Sequence, residues 1–289
     1  MMNELKLHQR SDKFLTERKE NIIAIIIAAI VAFLYITGIP TAFFVNIEVA
    51  DIDAISITLF INIIFSMAVG ISLVKILIPM FDIGFQSKNF KSEIKKYGIS
   101  CFVAFLIPCI AFIIGLYPLD YSPTVWKVLF EGIIYIIGVG IIEEFFCRGL
   151  LQNAILGLLN NKKNAQLVAI LITSFIFGLG HIFGMIGMPV LLASAKILWA
   201  IGLGVYFGAI YALTNNLWLV ALFHFIVNLC GLPFVFSTQN IYPPISAIMV
   251  LISCLGLGIY GIYILKHEEK QSLIMKNTQK NTAKEQKKY

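Results

Sequence analysis

Apolar residues fall along this chain in long runs, broken by short polar joins, with no alternation of apolar and polar positions. Eight runs approach or exceed the roughly 20 residues needed to cross about 30 Å of hydrocarbon. They are Ile22–Val45, Ile55–Met80, Ile99–Leu116, Val125–Leu150, Leu167–Gly187, Val190–Leu213, Leu217–Val235 and Ile245–Leu265. Without period-two patterning they read as helices, which satisfy their own backbone in lipid. The joins at Gly187–Val190 and Leu213–Leu217 are short enough to predict antiparallel hairpins. The expected fold is all-α: a polytopic membrane protein, a bundle of about eight transmembrane helices.

The flanks divide the chain further. Residues 1–21 form a charged N-terminal segment, residues 22–265 the transmembrane domain, and residues 266–289 a basic tail. That tail is rich in Lys, Gln and Asn, a composition that predicts disorder. The first run is longer than the 7–15 residue core of a signal peptide and follows a charged segment, so it reads as a retained anchor. No internal repeat and no soluble domain stand out.

Composition supports the pattern. Of the 289 residues, 59 % are hydrophobic and 13 % charged, and mean hydropathy is +0.87. A globular domain has about 45–50 % apolar residues. The positive charges set the orientation. Lys6, Arg10, Lys13, Arg18 and Lys19 precede the first run. Lys88, Lys91, Lys95 and Lys96 follow the second, Lys162 and Lys163 follow the fourth, and seven lysines run from Lys266 onward. With eight spans these all share one side. The opposite loops hold Glu48, Asp51, Asp53 and Asp120 and no Lys or Arg. Both termini are therefore expected in the cytoplasm. The net charge of +6 follows from this bias and from attraction to anionic lipid, and gives no reason to expect nucleic acid. The five cysteines, Cys101, Cys109, Cys147, Cys230 and Cys254, form no C-x-x-C pair and all fall in apolar runs. They read as small core residues, not disulfides or metal clusters.

The ionisable groups inside the runs are the candidates for chemistry, because such groups are costly in hydrocarbon. In IIEEFFCRGLL, Glu144 and Arg148 stand four apart and share a helix face, as a structural ion pair would. Glu143 is turned by about 100° from Glu144. One arginine does not easily neutralise both, so Glu143 is the better candidate for a tuned base. His181 ends FGLGH and is flanked by glycines at 178, 180, 184 and 187. His224 and Asn228, four apart in HFIVN, align on one face, as for a shared cavity or an interhelical hydrogen bond. Lys127 and Glu131 read as an ion pair at the outer end of the fourth span. Lys196 reads as a snorkelling cation.

The order Glu143-Glu144-x-x-x-Arg148, Phe177-x-x-x-His181, His224-x-x-x-Asn228 resembles the CAAX protease and bacteriocin-processing family (CPBP, or Abi) of intramembrane endopeptidases. Type II CAAX prenyl endopeptidases and lysostaphin-resistance-like proteins belong to it. The stretch GLGVYFGAIYALTNNLWLVALFHFIVN adds to the likeness, which covers about residues 125–230. The resemblance implies that Glu143 is the general base for water and that His181 helps to hold it. Glu144 and Arg148 would brace the site, His224 and Asn228 would steady the oxyanion, and Phe177 would pack. Hydrolysis needs just such a base and such donors. If zinc were bound, Glu143, His181 and His224 would ligate it, with one position left for water. No H-E-x-x-H pair lies on one helix, which favours a metal-free, glutamate-dependent site without cofactor.

The resemblance implies a membrane-associated peptide or protein terminus as substrate: a prenylated tail, a pheromone or bacteriocin precursor, or a membrane-protein end. It also places the chain in a bacterial cell membrane. Two other readings compete: a catalytically idle immunity or scaffold protein, and a transporter with buried ion pairs. One geometric difficulty arises. On straight helices, His224 lies about 10 Å and His181 about 20 Å from the cytoplasmic side. A common site requires the fifth helix to start late, tilt, or break at its glycines.

Overall fold

The computed structural model describes residues 2–38, 52–85, 89–115, 124–159, 162, 164–230 and 244–286. The molecule is a helical membrane bundle. Its helices are α1 (Met2–Thr37), α2 (Ala54–Leu77), α3 (Phe90–Gly115), α4 (Val125–Leu159), α5 (Ala165–Gly180), α6 (Val190–Thr214), α7 (Leu217–Cys230) and α8 (Pro244–Gln286). Among the described residues, six are long and apolar enough to cross a membrane: α1, α2, α4, α5, α6 and α8. The expected third span lies in the 26-residue α3. The expected seventh is seen as the 14-residue α7; residues 231–235 lie outside the described ones. So do Lys88, Lys163, Glu48, Asp51 and Asp120.

Three elements depart from the sequence-based expectation, and the N-terminal segment adds a helix on which the sequence reading is silent. The fourth span runs on to Leu159, nine residues past its expected end at Leu150, and carries π-helical stretches at Val128–Ile134 and Phe145–Gln152. The fifth ends at Gly180 and is followed by a short turn at Phe183–Met185. The segment before the first span is helical from Met2. The tail expected to be disordered is helical as far as Gln286. Lys, Gln and Glu are good helix formers, and an apolar helix already formed removes the nucleation cost for residues that continue it.

The buried centre is the second half of α4. Phe145, Cys147, Arg148 and Leu150 are all at most 1 % exposed, although they point in different directions round the helix. Such a helix is surrounded on every side. Its neighbours are α1, α2, α5, α6 and α7, while α8 packs along α6 and against α3. Apolar side chains such as Ile76, Ile99, Leu191 and Ile259 face outward, as a surface solvated by lipid tails requires.

One end of the bundle is tied by polar contacts. Asn215 Nδ2 donates to Asp82 Oδ2 (2.6 Å), Asn153 Nδ2 to Tyr211 Oη (2.8 Å) and Asn216 Nδ2 to Glu93 Oε2 (2.7 Å). Lys96 pairs with Glu268 at 2.6 Å, and that carboxylate holds the Lys96 ammonium above the ordinary lysine range. Asn215 takes the left-handed conformation that ends α6 (φ 49°), and Asn216 Oδ1 caps α7 by accepting from Leu219 N (3.2 Å). The starts of α3 and α7 and the ends of α2 and α6 thus meet on one face. This is the face that the sequence pattern assigns to the cytoplasm.

Candidate active site

The three motifs converge in the middle of the bundle. Glu143 and Glu144 sit where α4 passes from α-helix into its second π-helical stretch. Extra residues in a turn change which way side chains point, and such stretches recur at functional sites. Glu144 is fully buried. Its Oε1 accepts from Arg148 Nη1 (3.0 Å) and lies 2.7 Å from His224 Nδ1. The expected ion pair is therefore present, and it is half of a larger arrangement. Arg148 also donates from Nη2 to the Gly204 carbonyl (3.2 Å), and its guanidinium lies 4.7 Å from the Phe177 ring centroid. Phe177 packs, as the resemblance implied, and it does so against Arg148, His181 and His224.

His224 bridges the two carboxylates. Nδ1 faces Glu144, and Nε2 lies 3.5 Å from Glu143 Oε2. Its ring stacks on Phe207 (5.3 Å) and meets Phe177 edge-on (6.0 Å), so the imidazole plane is fixed from two sides. Glycine makes this contact attainable. A Cβ on Gly140 would stand 3.2 Å from the Ala221 carbonyl and 3.7 Å from His224 Cβ. The absent side chain lets α7 approach α4 one turn before the glutamates.

Glu143 has different surroundings from its neighbour. Its side chain is 13 % exposed, and its Oε1 accepts from the Tyr35 hydroxyl at 3.2 Å. Tyr35 comes from α1, 108 residues earlier, and sequence reasoning missed it. Nothing in its apolar run marks it beyond a phenol's need for a partner.

His181 caps α5 directly after Gly180, its Nδ1 2.9 Å from the Phe177 carbonyl. A carbonyl only accepts, so Nδ1 carries the proton and Nε2 is left as an acceptor. The depth difficulty is resolved in two places. α5 starts at Ala165, before its expected start and not after it, and stops at Gly180, where His181 shares a cavity wall with Glu143. Leu217, the first residue of α7, packs on Gly149, ten residues before α4 ends. α7 therefore begins about 15 Å short of the end of α4.

Two cavities adjoin these groups. One of about 440 Å³ is lined by Glu143, Tyr35, His181 and Lys196 together with Phe146 and Phe183. A smaller one of about 100 Å³ is lined by His224, Asn228, His181 and Lys196, closed by Trp199 and Phe207. Five of the six candidates, Glu143, Glu144, Arg148, His181 and His224, are thus connected through direct contacts or a shared wall. Asn228 joins them through the smaller cavity. Lys196, read from sequence as snorkelling outward, lines both cavities. It stands six residues after the start of α6 and shares a cavity wall with His181.

Residues 124–230 match the family model described as type II CAAX prenyl endopeptidase, Rce1-like. The match is consistent with the CPBP family that the motif order resembles, and that is a family of proteases. The Rce1-like segment opens at the Thr124 cap of α4 and closes at Cys230, the last described residue of α7. It contains every motif residue. Tyr35 and the walls that α3 and α8 give to the smaller cavity lie outside it. No curated protein matches the chain.

Among the described residues no three His, Cys, Asp or Glu side chains converge as a metal cluster. His224 Nε2 lies beside Glu143, and His181 offers one nitrogen from across a cavity. The arrangement does not fit the three-ligand centre that Glu143, His181 and His224 would have to supply.

Proposed function

We propose that this chain is an intramembrane endopeptidase that hydrolyses a peptide bond in a membrane-associated peptide or protein terminus, with Glu143 as general base. The observation that carries this reading is the His224 bridge between Glu143 and Glu144 at the edge of a cavity. One carboxylate is locked by Arg148 and His224. The other stays partly open, held by a tyrosine hydroxyl, and faces the space where a substrate would lie.

The chemistry runs from these atoms. A water in the larger cavity would donate one hydrogen to His181 Nε2 and the other to Glu143. Glu143 takes a proton as the water oxygen attacks the scissile carbonyl carbon. Negative charge then develops on the carbonyl oxygen. The Asn228 amide and His224, protonated on Nε2 and held by Glu144 through Nδ1, are the donors for it. Collapse breaks the C–N bond. Glu143 returns its proton to the leaving nitrogen, so the products are a carboxylic acid and an amine.

The buried charges also bear on the transporter alternative. Lys127, Glu131 and Asp53 form one group near the start of α4. Glu143 lies twelve residues on, about 18 Å along the helix. Two separate clusters on one helix suit a local reaction better than an ion relay. The test is cleavage of a tagged, membrane-anchored peptide library by purified protein and by Glu143→Gln. Loss of cleavage in a normally folded variant supports the peptidase, and equal cleavage refutes the assignment. An idle relative would cleave in neither form.

A further inference from the structure

Lys196 has no part in the hydrolysis as drawn, yet with Phe177 and His181 it is one of three residues common to both cavities. Its Nζ stands over the Trp199 ring, 5.0 Å from the centroid. That contact covers one side of the ammonium. Among the described residues no carboxylate lies within ion-pair distance of it. Glu143 lines the larger cavity with it. The other cations of the bundle interior are matched: Arg148 by Glu144, and Lys127 by Asp53 and Glu131. A cation in a membrane interior without an anion is costly, and such a residue points to a ligand. The space in front of it is flanked by Ile36, Leu59, Phe146 and Ile176 on one side and by Leu203 and Val227 on the other. That lining suits apolar peptide side chains. The smaller cavity is too tight for a lipid headgroup.

We infer that Lys196 is a substrate-specificity residue that binds a carboxylate carried by an otherwise apolar peptide lying across the two cavities. This rests on the peptidase reading for its substrate class. The carboxylate has two sources, a free C-terminus or an acidic side chain, and the chemistry at Nζ is the same. The ammonium donates to the carboxylate and sets the peptide's register relative to Glu143.

The test is binding, which needs no turnover. Full-length protein in zwitterionic nanodiscs is titrated with dye-labelled apolar peptide libraries. One carries a free C-terminal carboxylate, one the carboxamide, and a third the carboxamide with an internal aspartate. The wild type is expected to bind one carboxylate library at least about tenfold more tightly than the carboxamide, the scale of a charged hydrogen bond. The library that wins identifies the source. Lys196→Met should remove the preference by weakening the acid alone, and Lys196→Arg should restore part of it. Melting curves show which variants are folded. No preference in the wild type, or an unchanged preference in folded Lys196→Met, overturns the proposal. A protein that prefers the acid but never cleaves refutes the peptidase and leaves this site standing. One that cleaves acid and amide alike does the reverse.

Discussion

Two clusters of buried charge on α4 are built from the same parts. Lys127 with Glu131, and Glu144 with Arg148, are each a cation and a carboxylate four residues apart, beside a π-helical stretch. Their completion differs. At the first, Lys127 Nζ reaches Asp53 at 2.9 Å and Glu131 at 3.8 Å, while Glu131 Oε1 accepts the Asp53 backbone N–H at 2.7 Å. Each member has a partner, and none of the three lines either cavity next to the motif residues. At the second, a further carboxylate and a histidine are added. Glu144 Oε2 and Arg148 Nε have no protein partner, and Glu143 faces a cavity. Closed pairing makes a clamp that fastens α2 to α4. The same pair with an extra carboxylate and open space beside it is the arrangement on which the proposed proton transfer rests.

The comparison breaks most sharply at Glu143. Glu143→Gln should lower cleavage by about 10²–10⁴-fold, the range for loss of a general base, with the melting temperature nearly unchanged. Glu144→Gln should act on the fold instead. It leaves Arg148 and His224 without their shared anion, and breaking a buried pair costs about 3–5 kcal/mol. Thermal melting in detergent should show it, with activity falling in step. Glu131→Gln is the control in the closed cluster. It weakens contacts to Lys127 and to the Asp53 N–H, worth about 1.5–3 kcal/mol for hydrogen bonds to a charged group, and should leave cleavage per folded molecule unchanged. A loss of cleavage there without a loss of stability would mean that the two clusters are not separable. Tyr35→Phe is the smallest change. It removes one long hydrogen bond to Glu143, about 1.5 kcal/mol at the low end for a charged acceptor, so cleavage should shift by roughly tenfold with little melting change.

Much of this was legible from the sequence, for reasons that also mark the boundary. Hydropathy exposes helices that face lipid, because the bilayer demands length and apolarity together, so α1, α2, α4, α5, α6 and α8 stand close to their expected places. Glu144 and Arg148 are helix neighbours, and spacing alone pairs them. Spacing cannot report contacts between helices. That His224 divides its two nitrogens between the glutamates depends on how closely α7 approaches at Gly140. Tyr35 reaches the site from 108 residues away without a motif of its own. The π-helical stretches leave no trace in an apolar pattern, and neither does the depth at which α7 begins. Snorkelling is the usual fate of a lysine near a helix end, and the sequence does not tell that Lys196 also lines the two cavities.

The division of labour between the two adjacent glutamates is the centre of the account. It is tested most directly by single-turnover cleavage of one tagged membrane-anchored peptide, measured on Glu143→Gln and Glu144→Gln at matched folded fraction. The account predicts that folded Glu143→Gln has lost at least about 100-fold in rate, while the folded fraction of Glu144→Gln retains far more of it. A stable but inactive Glu144→Gln beside an active Glu143→Gln would contradict it.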